Sequence, residues 1–106
     1  MRILLNRPRV ENVLTTAEEL FGVERRALLT RRTPTAAAAR LACYAALKRG
    51  CEASLCEIAY LFDRDHTSIL SGIRKAEADA THDSEYADAI DQLARAVRLG
   101  LPRKAA

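Results

Sequence analysis

The chain has 106 residues, inside the roughly 100–200 of one domain and enough to bury a core without disulfide or metal staples. Hydrophobic residues make up 49% and charged residues 29%, a globular balance, and no apolar run approaches the ~18 residues of a membrane span. The net charge of +3 hides an asymmetry: residues 1–50 carry ten Lys/Arg against four Glu, residues 51–93 carry three against ten acids, and residues 94–106 are basic again.

Twenty alanines against 5% aromatics favour helix along the whole chain. Val10, Val13, Leu14, Ala17, Leu20 and Phe21 trace one face of a first helix, and Gly22 is its stop signal. A short helical turn from Glu24 to Leu29 is expected next. Thr30 to Thr35, polar, basic and broken by Pro34, reads as an exposed loop. The alanine-rich stretch Ala36–Arg49 predicts a third helix closed by Gly50. Ser54-Leu55-Cys56-Glu57 has the capping-box spacing, with Leu55, Ile58, Ala59 and Phe62 in helical register behind it. The chain then breaks at Asp63-Arg64. Asp65 can cap a second start, and Ile69, Leu70, Ile73 and Ala76 continue the period. Two short helices joined by about three residues make a helix-turn-helix unit. A last helix after Ser84 sets Tyr86, Ile90, Leu93 and Val97 on one side and ends near Gly100. The expected architecture is all-α, five to six helices over residues 10–99, with an N-terminal extension 1–9 and a basic tail 100–106.

In a helix-turn-helix unit the second helix can lie in the DNA major groove with its first residues at base edges. Here those residues are Arg64, Asp65, His66, Thr67 and Ser68, and the Thr67 methyl suits contact with thymine. The same residues serve equally as helix caps and surface groups. Arg31 and Arg32 suit phosphates or a narrow minor groove, or simply solvent. Arg40, Arg74 and Lys75 are further cations that face either a DNA backbone or water. The acidic run Glu77, Asp79, Asp83, Glu85, Asp88 and Asp91 offers a surface for a protein partner, or a solvated face kept off phosphates. Cys43, Cys51 and Cys56 form no Cys-x-x-Cys, which predicts a reduced cytoplasmic protein without disulfide or zinc site. Gly22, Gly50, Gly72 and Gly100 stand alone and no Gly-Lys-Ser/Thr occurs, so no nucleotide site is expected. The first residues are too briefly apolar for a signal peptide, and neither His66 nor His82 has a nucleophile or metal partner at useful spacing. Neither an enzyme nor a cofactor is expected.

Phe62-Asp63-Arg64-Asp65-His66-Thr67-Ser68-Ile69, preceded by Ser54-Leu55-Cys56-Glu57-Ile58-Ala59 and followed by Ile73-Arg74-Lys75, resembles a known signature. It is that of the C-terminal DNA-binding domain (domain IV) of the bacterial chromosomal replication initiator DnaA, and the likeness runs from about Val10 to Val97. The resemblance implies a Trp-repressor-like helix-turn-helix fold and sequence-specific binding of double-stranded DNA. It implies a role in replication initiation or transcription regulation, in the cytoplasm at the nucleoid. By the same resemblance Asp65, His66, Thr67 and Ser68 head the reading helix, and Arg31 or Arg32 enters the minor groove. Arg40 contacts DNA, and Arg64 and Lys75 face DNA or its backbone. The chain departs from the family pattern at three places: Leu41 stands where a Gln is usual, Asp63 replaces a glycine pair, and Ser68 replaces a second Thr. With each good base contact discriminating by roughly 1–3 kcal/mol, these changes alter the preferred sequence. They also suit an alternative, a protein-interaction adaptor that keeps the fold and has lost specific DNA binding. The family's initiators carry an ATPase module upstream, whereas this chain enters the DNA-binding helices soon after Met1. The expectation is an excised domain or a free-standing relative that binds sites without opening an origin.

Overall fold

The computed structural model describes residues 7–99, which form six helices and, among the described residues, no strand. They are α1 (Arg7–Phe21), α2 (Arg25–Thr30), α3 (Pro34–Cys51), α4 (Leu55–Phe62), α5 (His66–Ala80) and α6 (Ser84–Leu99). The basic tail 100–106 and residues 1–6 of the N-terminal extension lie outside the described residues. Arg7 to Arg9 are not extension but the opening turn of α1, where Pro8 costs no hydrogen bond.

Three helix ends are closed locally, the first two by signals read from the sequence. Gly22 has a φ of 65° and closes α1, its amide and that of Val23 both donating to the Glu18 carbonyl. Ser54 and Glu57 form the reciprocal capping box of α4. The Asp83 carboxylate accepts from the Tyr86 amide at the start of α6.

The boundaries of α3 differ from the expectation at both ends. Pro34 does not break the loop: Thr33 caps the helix through its hydroxyl and Pro34 is the first helical residue, where its fixed φ is an advantage. Gly50 does not end the helix either. It lies inside α3 and is buried, because a Cβ there would stand 2.7 Å from the Ala94 carbonyl oxygen of α6. The helix stops two residues later at Glu52, which takes the left-handed conformation with a φ of 54°.

α3 is the axis of the domain, with α1, α2, α5 and α6 packed around it. Its alanines explain why: Ala36, Ala39, Ala42, Ala45 and Ala46 are all buried, so neighbouring backbones approach from several sides. The larger side chains that fill the core come mostly from the other helices, including Val13, Leu28, Ile58, Ile69, Ile90, Leu93 and Val97. Each such residue contributes roughly 1.5–3 kcal/mol of burial. Polar links fix the relative positions of the helices. Asn12 donates to the Ala96 carbonyl (2.9 Å), Tyr86 to the Ala38 carbonyl (2.7 Å), and Arg25 of α2 reaches Glu18 and Glu11 on α1.

Candidate nucleic-acid interface

α4 and α5 are joined by Asp63, Arg64 and Asp65 alone, and this short turn sets the first residues of α5 at one end of the domain. Asp63 makes the turn possible by adopting the left-handed conformation (φ 56°, ψ 51°), as a helix C-cap usually filled by Gly or Asn. The amide of Arg64 closes back on the Ala59 carbonyl at 2.9 Å. Asp65 is the N-cap of α5: its carboxylate accepts from the Ser68 amide at 2.7 Å, and that bond holds its pKa below the ordinary carboxylate value. Its oxygen therefore takes one of the free amides that an approaching phosphate would use.

With Asp65 engaged as cap, the groups presented outward are His66, Thr67 and Ser68, all exposed on the first turn of α5. Further along the helix Ile69, Gly72, Ile73 and Ala76 turn into the core. Gly72 sets how deeply the helix sits. A Cβ there would meet Leu41 Cδ2 at 2.7 Å and the Tyr44 ring at 2.8 Å, so α5 is pressed directly onto α3. Leu41 thereby has a structural task. It is half-buried packing for α5 at the position where a hydrogen-bonding Gln was expected for the family. Tyr44 itself is clamped edge-on against Phe62 with ring centroids 4.8 Å apart.

Arg31 and Arg32, equivalent in the sequence, face different surroundings. Arg32 shares a groove with Arg64, walled by Leu29, Thr30, Leu61, Phe62 and Asp63, so the basic loop and the α4–α5 turn meet across it. Arg31 lies on the other side of the loop with Glu24, Arg26 and Thr30. Arg64 is also exposed; burial pushes the Tyr44 phenol up, and the charges of Arg40 and then Arg64 offset part of that rise. Lys75 is exposed two turns further along α5 and pairs with Asp79 at 3.4 Å.

Arg40 is not where the resemblance placed it. It is 7% exposed, and its Nη1 donates to the carbonyls of Leu28 (2.8 Å) and Arg31 (2.9 Å), beneath the basic loop and not at the surface. A cation at the seventh residue of an alanine-rich helix carries no sign of burial in the sequence. Only the packing of α2 over α3 creates it.

The acidic residues Glu77, Asp79, Asp83, Glu85, Asp88 and Asp91 are all exposed, on the far half of α5, the following turn and α6. With a rise of 1.5 Å per residue they begin about 16 Å from His66 along α5. Three of them have local partners: Asp79 with Lys75, Asp83 as the α6 cap, and Asp91 with Arg49 at 2.7 Å. Sequence reading passed over Tyr60, 91% exposed on the outer side of α4. Its only signal was its place outside the Leu55, Ile58, Ala59, Phe62 pattern. Two of the cysteines, Cys43 and Cys51, are buried and Cys56 is exposed. Among the described residues no cluster of His, Cys, Asp and Glu is arranged to hold a metal, and no helix is long and apolar enough to cross a membrane. Compared with known proteins, the chain matches no family model and no curated protein.

Proposed function

We propose that this chain binds double-stranded DNA sequence-specifically, in the manner of the DnaA C-terminal domain that its sequence resembles. The observation that carries the reading is the common placement of two polar devices at one end of the fold. His66, Thr67 and Ser68 are exposed on the first turn of α5, and Arg32 meets Arg64 across the adjoining groove. A helix end of this kind reads base edges in a major groove, while a loop arginine beside it reaches the neighbouring minor groove or phosphates. The acidic run Glu77 to Asp91 keeps to the far half of α5, the following turn and α6, so its field does not oppose approach of a polyanion by the reading end, where Asp63 and Asp65 stand among the cations. In this reading Asp65 orients the helix as its cap, and Arg64 and Lys75 face the backbone. The protein works at the nucleoid, in transcription regulation or replication initiation, and the exposed acidic face is free for a protein partner.

Selection from randomised duplexes, followed by affinity titration of the enriched sequence, tests this directly. Thr67→Ala or His66→Ala should reduce discrimination between the selected and a scrambled duplex by about 1–3 kcal/mol while affinity for the scrambled duplex holds. Arg32→Ala should weaken binding to every sequence and reduce the slope of log K against log salt by about 0.9. A folded protein that enriches no sequence and binds no duplex at 50 mM salt overturns the reading. Enriched motifs clustered near origins assign the replication role, and motifs at promoters the transcriptional one.

A further inference from the structure

The three residues Arg31 to Thr33 that join α2 to α3 carry the loop cations, and no helix of their own supports them. At Arg31 the backbone swings to an extended conformation (φ −77°, ψ 152°). Its carbonyl and that of Leu28, in the last turn of α2, find no intrahelical partner and need one. The Arg40 guanidinium supplies both bonds from a single nitrogen. Among the described residues no carboxylate pairs with it, so a buried cation is held by backbone carbonyls alone. Burying a charge in this way is costly unless its hydrogen bonds are good, and donors that carry charge form the stronger bonds. The result is a rigid strut between α3 and the loop.

We propose that Arg40 is a positioning residue for the DNA-binding end. It fixes the height and direction of the basic loop by holding the Leu28 and Arg31 carbonyls, so that Arg32 projects over the groove it shares with Arg64. It does not itself touch DNA. This rests on the DNA-binding reading above, and it gives Arg40 a different task from the direct contact that the family resemblance implies.

A double-mutant cycle separates the two tasks. Arg40→Met should weaken the selected duplex about tenfold in the wild-type loop, but by less than twofold once Arg31 and Arg32 are both Ala. A strut for side chains that are no longer there has nothing to position. A tenfold loss in both backgrounds means that Arg40 contacts DNA directly, and overturns the proposal. If Arg40→Met does not fold by circular dichroism, Arg40→Lys enters the same cycle with the same pair of outcomes. A second arm needs no DNA. The Arg31 amide donates to the Ala27 carbonyl at 2.8 Å, and its hydrogen exchange should quicken at least tenfold in the Arg40 variant while the amides of α6 keep their rates. Unchanged exchange at Arg31 overturns the strut. Loss of the DNA reading is distinguishable from loss of this one: in the first the wild-type protein binds no duplex, and in the second it binds while the cycle is additive or the exchange unmoved.

Discussion

The two ends of α3 are built on opposite plans. Towards its carboxyl end Gly50 and, one turn earlier, Ala46 present almost no side chain to α6, which comes close enough for Ala94 to touch the α3 backbone. At its amino end Thr33 and Pro34 start the helix beneath an exposed loop, with Arg40 reaching back to hold that loop in place. The packed end gains stability from contacts that tolerate no added atom. The open end leaves polar groups uncovered, and its cost in lost burial is what makes it available to a ligand. On the proposed function, stability and recognition are separated along one helix, and substitutions at the two ends should separate in the same way.

The largest effect is expected in the core that α6 builds against α3. Leu93→Ala removes a fully buried side chain and should cost about 2–5 kcal/mol in denaturant unfolding. Thr67→Ala, at an exposed position on α5, should stay within about 0.5 kcal/mol of wild type in the same measurement. A large loss for Thr67→Ala would mean that the reading end is part of the core after all. Gly50→Ala comes next. Its methyl meets backbone, which cannot swing aside as a side-chain end can, so α3 and α6 must separate and about 1–3 kcal/mol should be lost.

How much of this was legible in the sequence follows from what each residue depends on. Gly22 and the Ser54–Glu57 box act within one turn of chain, and local spacing was sufficient for them. Gly50 looked like the same kind of signal, yet its role depends on α6, more than forty residues away. Thr33-Pro34 had the local signature of a helix start, an N-cap followed by proline at the first position, but proline was read as a break. In the candidate site, Thr67 and Ser68 were legible because helix period assigns them outward, whereas His66 shares the face of Ile69 and Ile73 and is exposed because it opens the helix. The choice between Arg31 and Arg32 was not legible, since it depends on which side of the loop the α4–α5 turn occupies. Arg40 was least legible of all: its burial comes from α2 lying over α3, and no periodicity within α3 contains that fact.

A titration offers a further way to contrast interior and surface. Burial pushes the Cys43 thiol up to about 12, with the charges of Arg25 and Arg40 pulling the other way, while Cys56 is exposed. Above pH 9, the thiol's ordinary value, the unfolded chain releases a proton that the folded chain retains. The stability this group contributes is therefore complete below pH 9 and declines as pH rises, by about 1.4 kcal/mol per unit until the folded value is reached. Denaturant titrations between pH 9 and 10, before the Tyr44 and Tyr86 phenols that burial also pushes up begin to add to it, should show that decline, and Cys43→Ala should reduce it. Equal slopes for the two proteins would place the Cys43 thiol in contact with water.

The smallest expected effect touches both plans at once. Asp63 stands in the left-handed region at the α4–α5 turn and lines the groove between Arg32 and Arg64. Glycine adopts that conformation without the Cβ penalty, although it also gives the unfolded chain more freedom, so Asp63→Gly should gain no more than about 1 kcal/mol. Its effect on binding has a separate cause. A carboxylate between two guanidiniums opposes a phosphate that approaches the same groove. Removing it should raise affinity for any duplex a few-fold at low salt, with the gain fading near the ~8 Å screening length of physiological ionic strength. Asp63→Asn distinguishes the two causes, because asparagine tolerates the left-handed region as aspartate does but carries no charge. It should reproduce the gain in affinity without the gain in stability. If both variants instead lose affinity, Asp63 is helping to hold the turn in its binding geometry, and the groove it lines is not a seat for phosphate.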